Sequence, residues 1–213
     1  MNWYRETKTA GNIFNNPEVA DLVRLSLEMD RKLLTINGVH KHIRDIYNNV
    51  SSIDYEYLEI DLGFATLLGL DPEKRKYLRG FARMLDEDVA ELGKAIPLFY
   101  TTFMLLVSTI GGDDSKKQVE DKVRTILVNI DMELDICRNT KELIRYTDSI
   151  RKNAQGVLAD IPQLQSFSDV LRRYGFLESW DRAMAELEKY ANTLAKDANY
   201  MVTVLKDWDK QNK

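Results

Sequence analysis

Two histidines (His40 and His42), one cysteine (Cys137) and a few acidic strings are the side chains of this 213-residue chain whose types could carry chemistry. A di-iron carboxylate bundle needs two Glu-x-x-His pairs facing inward from different helices. Here the residues three before His40 and His42 are Asn37 and Val39, so that pattern fails. The all-α prenyl-transferring and terpene-forming enzymes hold magnesium on a diphosphate with Asp-rich strings. The nearest match is Asp86-Glu87-Asp88-Val89-Ala90-Glu91, with no second acidic string at a suitable spacing to face it. The nucleotide pyrophosphatase pattern is half met by Glu56-Tyr57-Leu58-Glu59, while Glu178 to Asp181 lies too far along the chain to complete it. No phosphate loop, dinucleotide fingerprint or nucleophile elbow occurs. These residues predict no catalytic or metal-binding group and no cofactor.

His40 falls on an apolar helical seam and His42 points away from it. A seam histidine serves as a general base or proton sensor, or more commonly as a core residue hydrogen-bonded to the next helix. The sequence favours the second role. Cys137 lies on a similar seam with no histidine close in sequence, which predicts an inert thiol.

Composition removes further classes. Two His and one Cys leave no material for a zinc cage, an iron–sulfur cluster or a disulfide framework. Ten Gly and four Pro are too few for a turn-rich sandwich or barrel. The formal net charge of -4 gives no electrostatic reason to expect nucleic acid. The basic clusters Lys74-Arg75-Lys76, Lys116-Lys117 and Arg172-Arg173 are short and neighboured by acids. Met1 to Ala10 contains no apolar run and so does not read as a secretory signal. A cytoplasmic location is favoured unless Met1 replaces a removed signal.

What must position these side chains is a set of long helices. Asn16-Pro17-Glu18 is a cap-plus-proline start, and Val19, Leu22, Ser26, Met29, Leu33, Ile36, His40, Ile43, Tyr47 and Val50 then recur at steps of three and four. A polar break at Asn48 to Ser52 precedes a shorter helix expected over Asp54 to Gly69. Asp71-Pro72-Glu73 opens the next long helix, which is buried through Leu78, Phe81, Leu85, Val89, Leu92, Ile96, Phe99, Phe103, Leu106 and Ile110. Gly111-Gly112-Asp113-Asp114 is the clearest turn. A third long helix is expected from Ser115 to Gln155, followed by a connection at Gly156 and Pro162. The last is expected from Ser168 to Trp208, with Gly175 delaying or bending its start. The fold class is therefore all-α: one domain over residues 1–213, an elongated up-and-down bundle of four long helices plus one short helix, with 1–15 irregular.

One stretch departs from ordinary amphipathic patterning. From Ala95 to Gly112 no residue is charged, and Leu98, Tyr100, Met104, Leu105 and Val107 occupy positions that should be polar. A helix apolar all round needs an apolar surround: the centre of a bundle, a partner chain, or lipid. Pro97 removes the hydrogen bond to the carbonyl of Gly93, so Gly93 and Pro97 mark a candidate hinge. In physical logic only, such a hinged apolar segment resembles those that α-helical pore-forming proteins hide in the soluble state. Leu98, Phe99, Tyr100, Phe103, Met104, Leu105, Leu106, Val107 and Ile110 are the candidate membrane or partner contacts. Leu33, Ile36, His40, Ile43, Tyr47, Trp180, Tyr190 and Trp208 form a candidate interaction seam.

The expected function is non-catalytic: a helical interaction or assembly protein whose long helix faces meet a protein partner or a second copy. Membrane insertion of 95–112 is the alternative, and an all-α metal-dependent enzyme built around His40 is third.

Overall fold

The computed structural model describes residue 13 and residues 16–51, 72–133 and 140–211. The expected helix over Asp54 to Gly69, the segment before residue 13, and Leu134 and Cys137 lie outside the described residues. Among those described the chain is all-α, with no strand. The helices are α1 (Pro17–Ser51), α2 (Pro72–Glu133), α3 (Thr140–Gln165), the short α4 (Ser168–Arg173) and α5 (Leu177–Gln211). At 1.5 Å per residue, the 35 residues of α1 and of α5 each span about 52 Å.

The start signal of α1 works as its residue types require. Asn16 Oδ1 accepts hydrogen bonds from the backbone N–H of Glu18 (3.1 Å) and Val19 (3.4 Å), satisfying two donors that the first turn leaves open. Leu22, Met29, Leu33 and Ile36 are fully buried along one face. Ser26, a polar member of that seam, is also buried and donates to the carbonyl of Leu22 at 2.7 Å.

Helix α1 packs chiefly on α2 and α3, and α5 on the same two, so α1 and α5 sit across a diagonal. Side-chain pairs fix the directions. Along α1 and α2, His40 meets Asp86 while Asp30 acts on Tyr100 further down. Along α1 and α3, His42 meets Tyr146 and Lys32 meets Asp160. Along α2 and α5, Phe81 meets Tyr200 and Phe99 meets Trp180. In each pair one number rises as the other falls, so these neighbours run antiparallel. This is the helical bundle that the sequence predicts, with four long helices among those described. The short α4 is the first turns of the expected last helix, cut off from it, and not the short helix expected over Asp54 to Gly69.

Two glycines bear on the expected boundaries: the turn at Gly111-Gly112-Asp113-Asp114 is met and the connection at Gly156 is not. Helix α1 stays helical through Asn48 to Ser51 of the expected polar break. The 62 residues of α2 include a break at Gly112, whose φ of 69° and ψ of -170° belong to a region open essentially to glycine alone. Residues 113–133 fold back beside the first part of the helix. In a straight helix Glu120 would stand about 30 Å beyond Tyr100. Instead its charge, after burial and Asp30, raises the Tyr100 phenol. Gly111 is needed as well, because a Cβ there would meet Ile13 Cγ2 at 2.0 Å and Ser115 Oγ at 2.3 Å. At the other glycine, the expected connection at Gly156 and Pro162 is helical, and α3 runs on to Gln165. The Lys32 side chain lies across Gly156, 3.0 Å from where a Cβ would stand, and its ammonium pairs with the buried Asp160. Gly156 thus makes room for a cross-helix ion pair and ends nothing. Gly175, at φ 78°, separates α4 from α5, the delayed start that the sequence suggested.

Gly93 and Pro97 lie inside α2, where the one non-helical residue is Gly112. The candidate hinge at Gly93 and Pro97 is helical here, and the break stands at Gly112, inside the turn that the sequence placed at Gly111-Gly112-Asp113-Asp114. The expected consequence is a contrast in stability. Gly112→Ala costs about 1–3 kcal/mol by forcing a side chain into that backbone geometry. A Cβ at Gly93 meets nothing within 4 Å, so Gly93→Ala adds about 0.5–1 kcal/mol. Urea unfolding of the two variants checks both signs.

Candidate functional site

One exposed stripe runs the length of α2 before its break. Lys76, Gly80, Arg83, Glu87, Ala90, Lys94, Pro97, Thr101, Leu105 and Thr109 follow one another at steps of three or four, and all are exposed. Up to Lys94 four of its six positions are charged, Gly80 and Ala90 being the exceptions. Arg83 Nε pairs with Glu87 Oε1 at 2.9 Å, and Lys94 pairs with Glu91. Beyond Lys94 the stripe carries no charge until Asp113, and the half-exposed Leu98 and Ser108 widen it. Leu105 is 54% exposed. A soluble helix face ordinarily stays charged. Here one face changes character halfway along while its backbone stays helical.

The opposite face of the same segment is core. Phe99 and Phe103 are fully buried and stack at 6.0 Å with 10° between their planes. Phe99 also meets Trp180 of α5 edge-on at 5.7 Å. Met104, Leu106 and Val107 are buried beside them, while Leu98, Tyr100 and Ile110 pack half-buried against the core. Of the candidate membrane or partner contacts, only Leu105 is largely exposed. By length and composition α2 is the one described helix apolar enough to cross a membrane.

The candidate interaction seam is used within the chain. Leu33, Ile36, Ile43, Trp180 and Trp208 are buried, and Tyr190 is half-buried against the core. Tyr47 belongs to α1, and only its place in the helix is described. His40 Nε2 lies 2.6 Å from Asp86 Oδ1 on the seam between α1 and α2, the hydrogen-bonded role that the sequence favoured. Such a pair could orient a general base, although neither residue lines the cleft described next.

That cleft, of about 490 Å³, opens between the start of α2 and α5 and is lined by Glu73, Lys76, Tyr77, Gly80, Phe81, Met84 and Tyr200. Its walls are mainly apolar, and Phe81 at 5.6 Å from Tyr200 forms part of them. Among the described residues no group of three or more His, Cys, Asp or Glu is placed to hold a metal ion.

Asp30 and Asp197 escaped the sequence reading, and Asp88 was read only as one member of an acidic string. Asp30, on α1, is 2% exposed, and its Oδ2 has no hydrogen-bond partner. Burial raises its carboxyl from the ordinary 3.8 to about 6. Asp88, on α2, lies beside Asp197 of α5. Burial, then the Asp197 carboxylate, then Glu87 raise Asp88 to about 7. The available signal was positional: Asp30 follows Ser26 by one turn on the seam of α1.

No family model matches the chain, and no curated protein or solved structure shows significant similarity to it.

Proposed function

We propose that this protein is a non-catalytic helical interaction protein whose contact surface is the uncharged half of the α2 stripe, centred on Leu105. The observation that supports this reading is the change of character along one exposed face, from charged before Lys94 to uncharged between Pro97 and Thr109. Charged residues are depleted at the centres of protein interfaces, because a charge buried there must be desolvated and paired. A face kept free of charge while the rest of the helix surface is not suits burial against another chain. The long seam of α1 is already spent on the core and is not offered outward.

A photo-crosslinking residue tests this reading in the cell. Placed at Leu105 it should give a discrete crosslinked band, and placed at Glu87 on the charged half of the stripe it should give none. Equal labelling at both positions, or none at either, would sink the proposal.

The same uncharged run favours a second reading, insertion of 95–112 into lipid, since α2 meets the length and composition for it. That reading requires Phe99 and Phe103 to leave their contacts with each other and with Trp180. Its test is flotation with liposomes together with release of a trapped dye.

A further inference from the structure

We propose that the cleft between the start of α2 and α5 binds an anionic amphiphile, an apolar chain ending in a carboxylate. This site is separate from the uncharged half of the stripe and goes beyond the interaction reading. The cleft is graded along its length. Its charged residues, Glu73 and Lys76, line one end, and Tyr77, Gly80, Phe81 and Met84 follow along the same helix. From Glu73 to Met84 the helix rises about 16 Å. Tyr200 of α5 supplies the opposing wall. The volume of about 490 Å³ is that of a small-molecule site, which is ordinarily concave, chiefly apolar and provided with a few polar groups.

The rings select the body of the ligand. Tyr77 is 54% exposed and Tyr200 56%, so two large aromatic side chains from different helices stand in water at one opening. Phe81, on the same lining, is buried and stands edge-on to Tyr200 with 80° between the planes. An apolar chain laid along these rings takes their surface out of water. Gly80 keeps the wall low, because a Cβ there would meet nothing within 4 Å.

The charge at the mouth selects the head. Glu73 stands in the first turn of α2, where open N–H groups and the positive end of the helix dipole answer its carboxylate. Lys76 has no such answer. Further along the helix Arg83 and Lys94 each pair with a carboxylate one turn away, whereas Lys76 enters no ion pair among the described residues. The uncompensated charge of the cleft is therefore positive. It lies at one end of an apolar slot, which suits a ligand with an anionic head and an apolar tail.

Isothermal titration calorimetry of the whole chain with laurate, below the concentration at which it forms micelles, should show saturable binding at one site. Dodecyltrimethylammonium, with a chain of the same length and the opposite charge, should bind about tenfold more weakly. Lys76→Glu should weaken laurate about tenfold and tighten the cation by a similar factor. Gly80→Leu should abolish laurate binding by filling the slot. Leucine also favours a helix over glycine, so that variant should fold, and circular dichroism confirms it. Laurate that binds Gly80→Leu as tightly as the wild type sits elsewhere, which overturns the site. Equal affinity for the two heads, or laurate affinity unchanged in Lys76→Glu, overturns the anionic class. A wild-type chain that takes up neither probe removes the proposal. A dimer in sedimentation equilibrium that Gly80→Leu dissociates gives the cleft to a second copy and overturns it as well.

Discussion

Phe103→Asp is expected to abolish cooperative folding of the bundle, whereas Leu105→Asp, two residues along the same helix, leaves it folded. Phe103 is fully buried and stacks on Phe99, which in turn meets Trp180 of α5. Loss of a core aromatic ring costs about 3–5 kcal/mol through lost transfer energy and the cavity left behind. The carboxylate that replaces it adds a desolvation cost of several kcal/mol, with no cation nearby in sequence to offset it. Total stability of a domain is about 5–15 kcal/mol, so the sum removes most or all of it. Leu105 is 54% exposed, and its substitution should change stability by less than about 1 kcal/mol. The two variants separate what the sequence alone could not: which members of an uncharged run hold the fold and which remain for a partner. Thermal unfolding followed by circular dichroism decides it. A folded Phe103→Asp would show that the segment is dispensable to the core and would revive the lipid reading. A Leu105→Asp variant that unfolds would show that the stripe is no free surface.

The fold was legible because its signals are local. Asn16-Pro17, Asp71-Pro72 and the three-four spacing of apolar residues depend on neighbours a few positions apart, and the helices that follow them start where those residues stand. Gly156 and Gly111 show where local reading stops. The same residue type makes room for a lysine in one helix and for a close approach beside a break in the other, and only the neighbouring element tells which. The site was half legible. The missing charges from Ala95 to Gly112 stand in the sequence, but helical periodicity leaves open which arc of a fully uncharged helix faces out. The surrounding helices decide that, and they bury Phe99 and Phe103 while leaving Leu105 out. The acidic pair Asp88 and Asp197 was illegible for the same reason, since over a hundred residues separate its members.

Those acids set the second large effect: the bundle should grow less stable as pH rises from about 4 to 7. The sign follows from proton counting. The folded Asp30 carboxyl holds its proton to about pH 6, and Asp88, beside Asp197, to about pH 7, whereas the unfolded chain releases both near 3.8. Across that window the folded state binds more protons, so each rise in pH favours unfolding. The stability these groups contribute is fully present below about 3.8 and is lost by pH 6 for Asp30 and pH 7 for Asp88. For Asp30 the loss is about 3 kcal/mol, at about 1.4 kcal/mol per pH unit. Asp148 works in the other direction and at lower pH. Burial tends to raise it, but hydrogen bonds from Lys152 and Arg151 outweigh burial and lower it, so its contribution is lost only in strong acid. Asp30→Asn should therefore raise the melting temperature at pH 8 by about 6–12 °C, at roughly 2–4 °C per kcal/mol, and change it little at pH 4. A wild-type melting temperature that climbs from pH 5 to 8, or an Asp30→Asn gain equal at both pH values, would refute the assignment. The sign also bears on the lipid reading. Asp30 lies between α1 and α2 and Asp88 between α2 and α5, so acid tightens both joints that hold α2 in the bundle. Release of 95–112 triggered by acid would have to work against its own helix contacts, whereas an interaction surface displayed on a helix that acid clamps more firmly meets no such conflict.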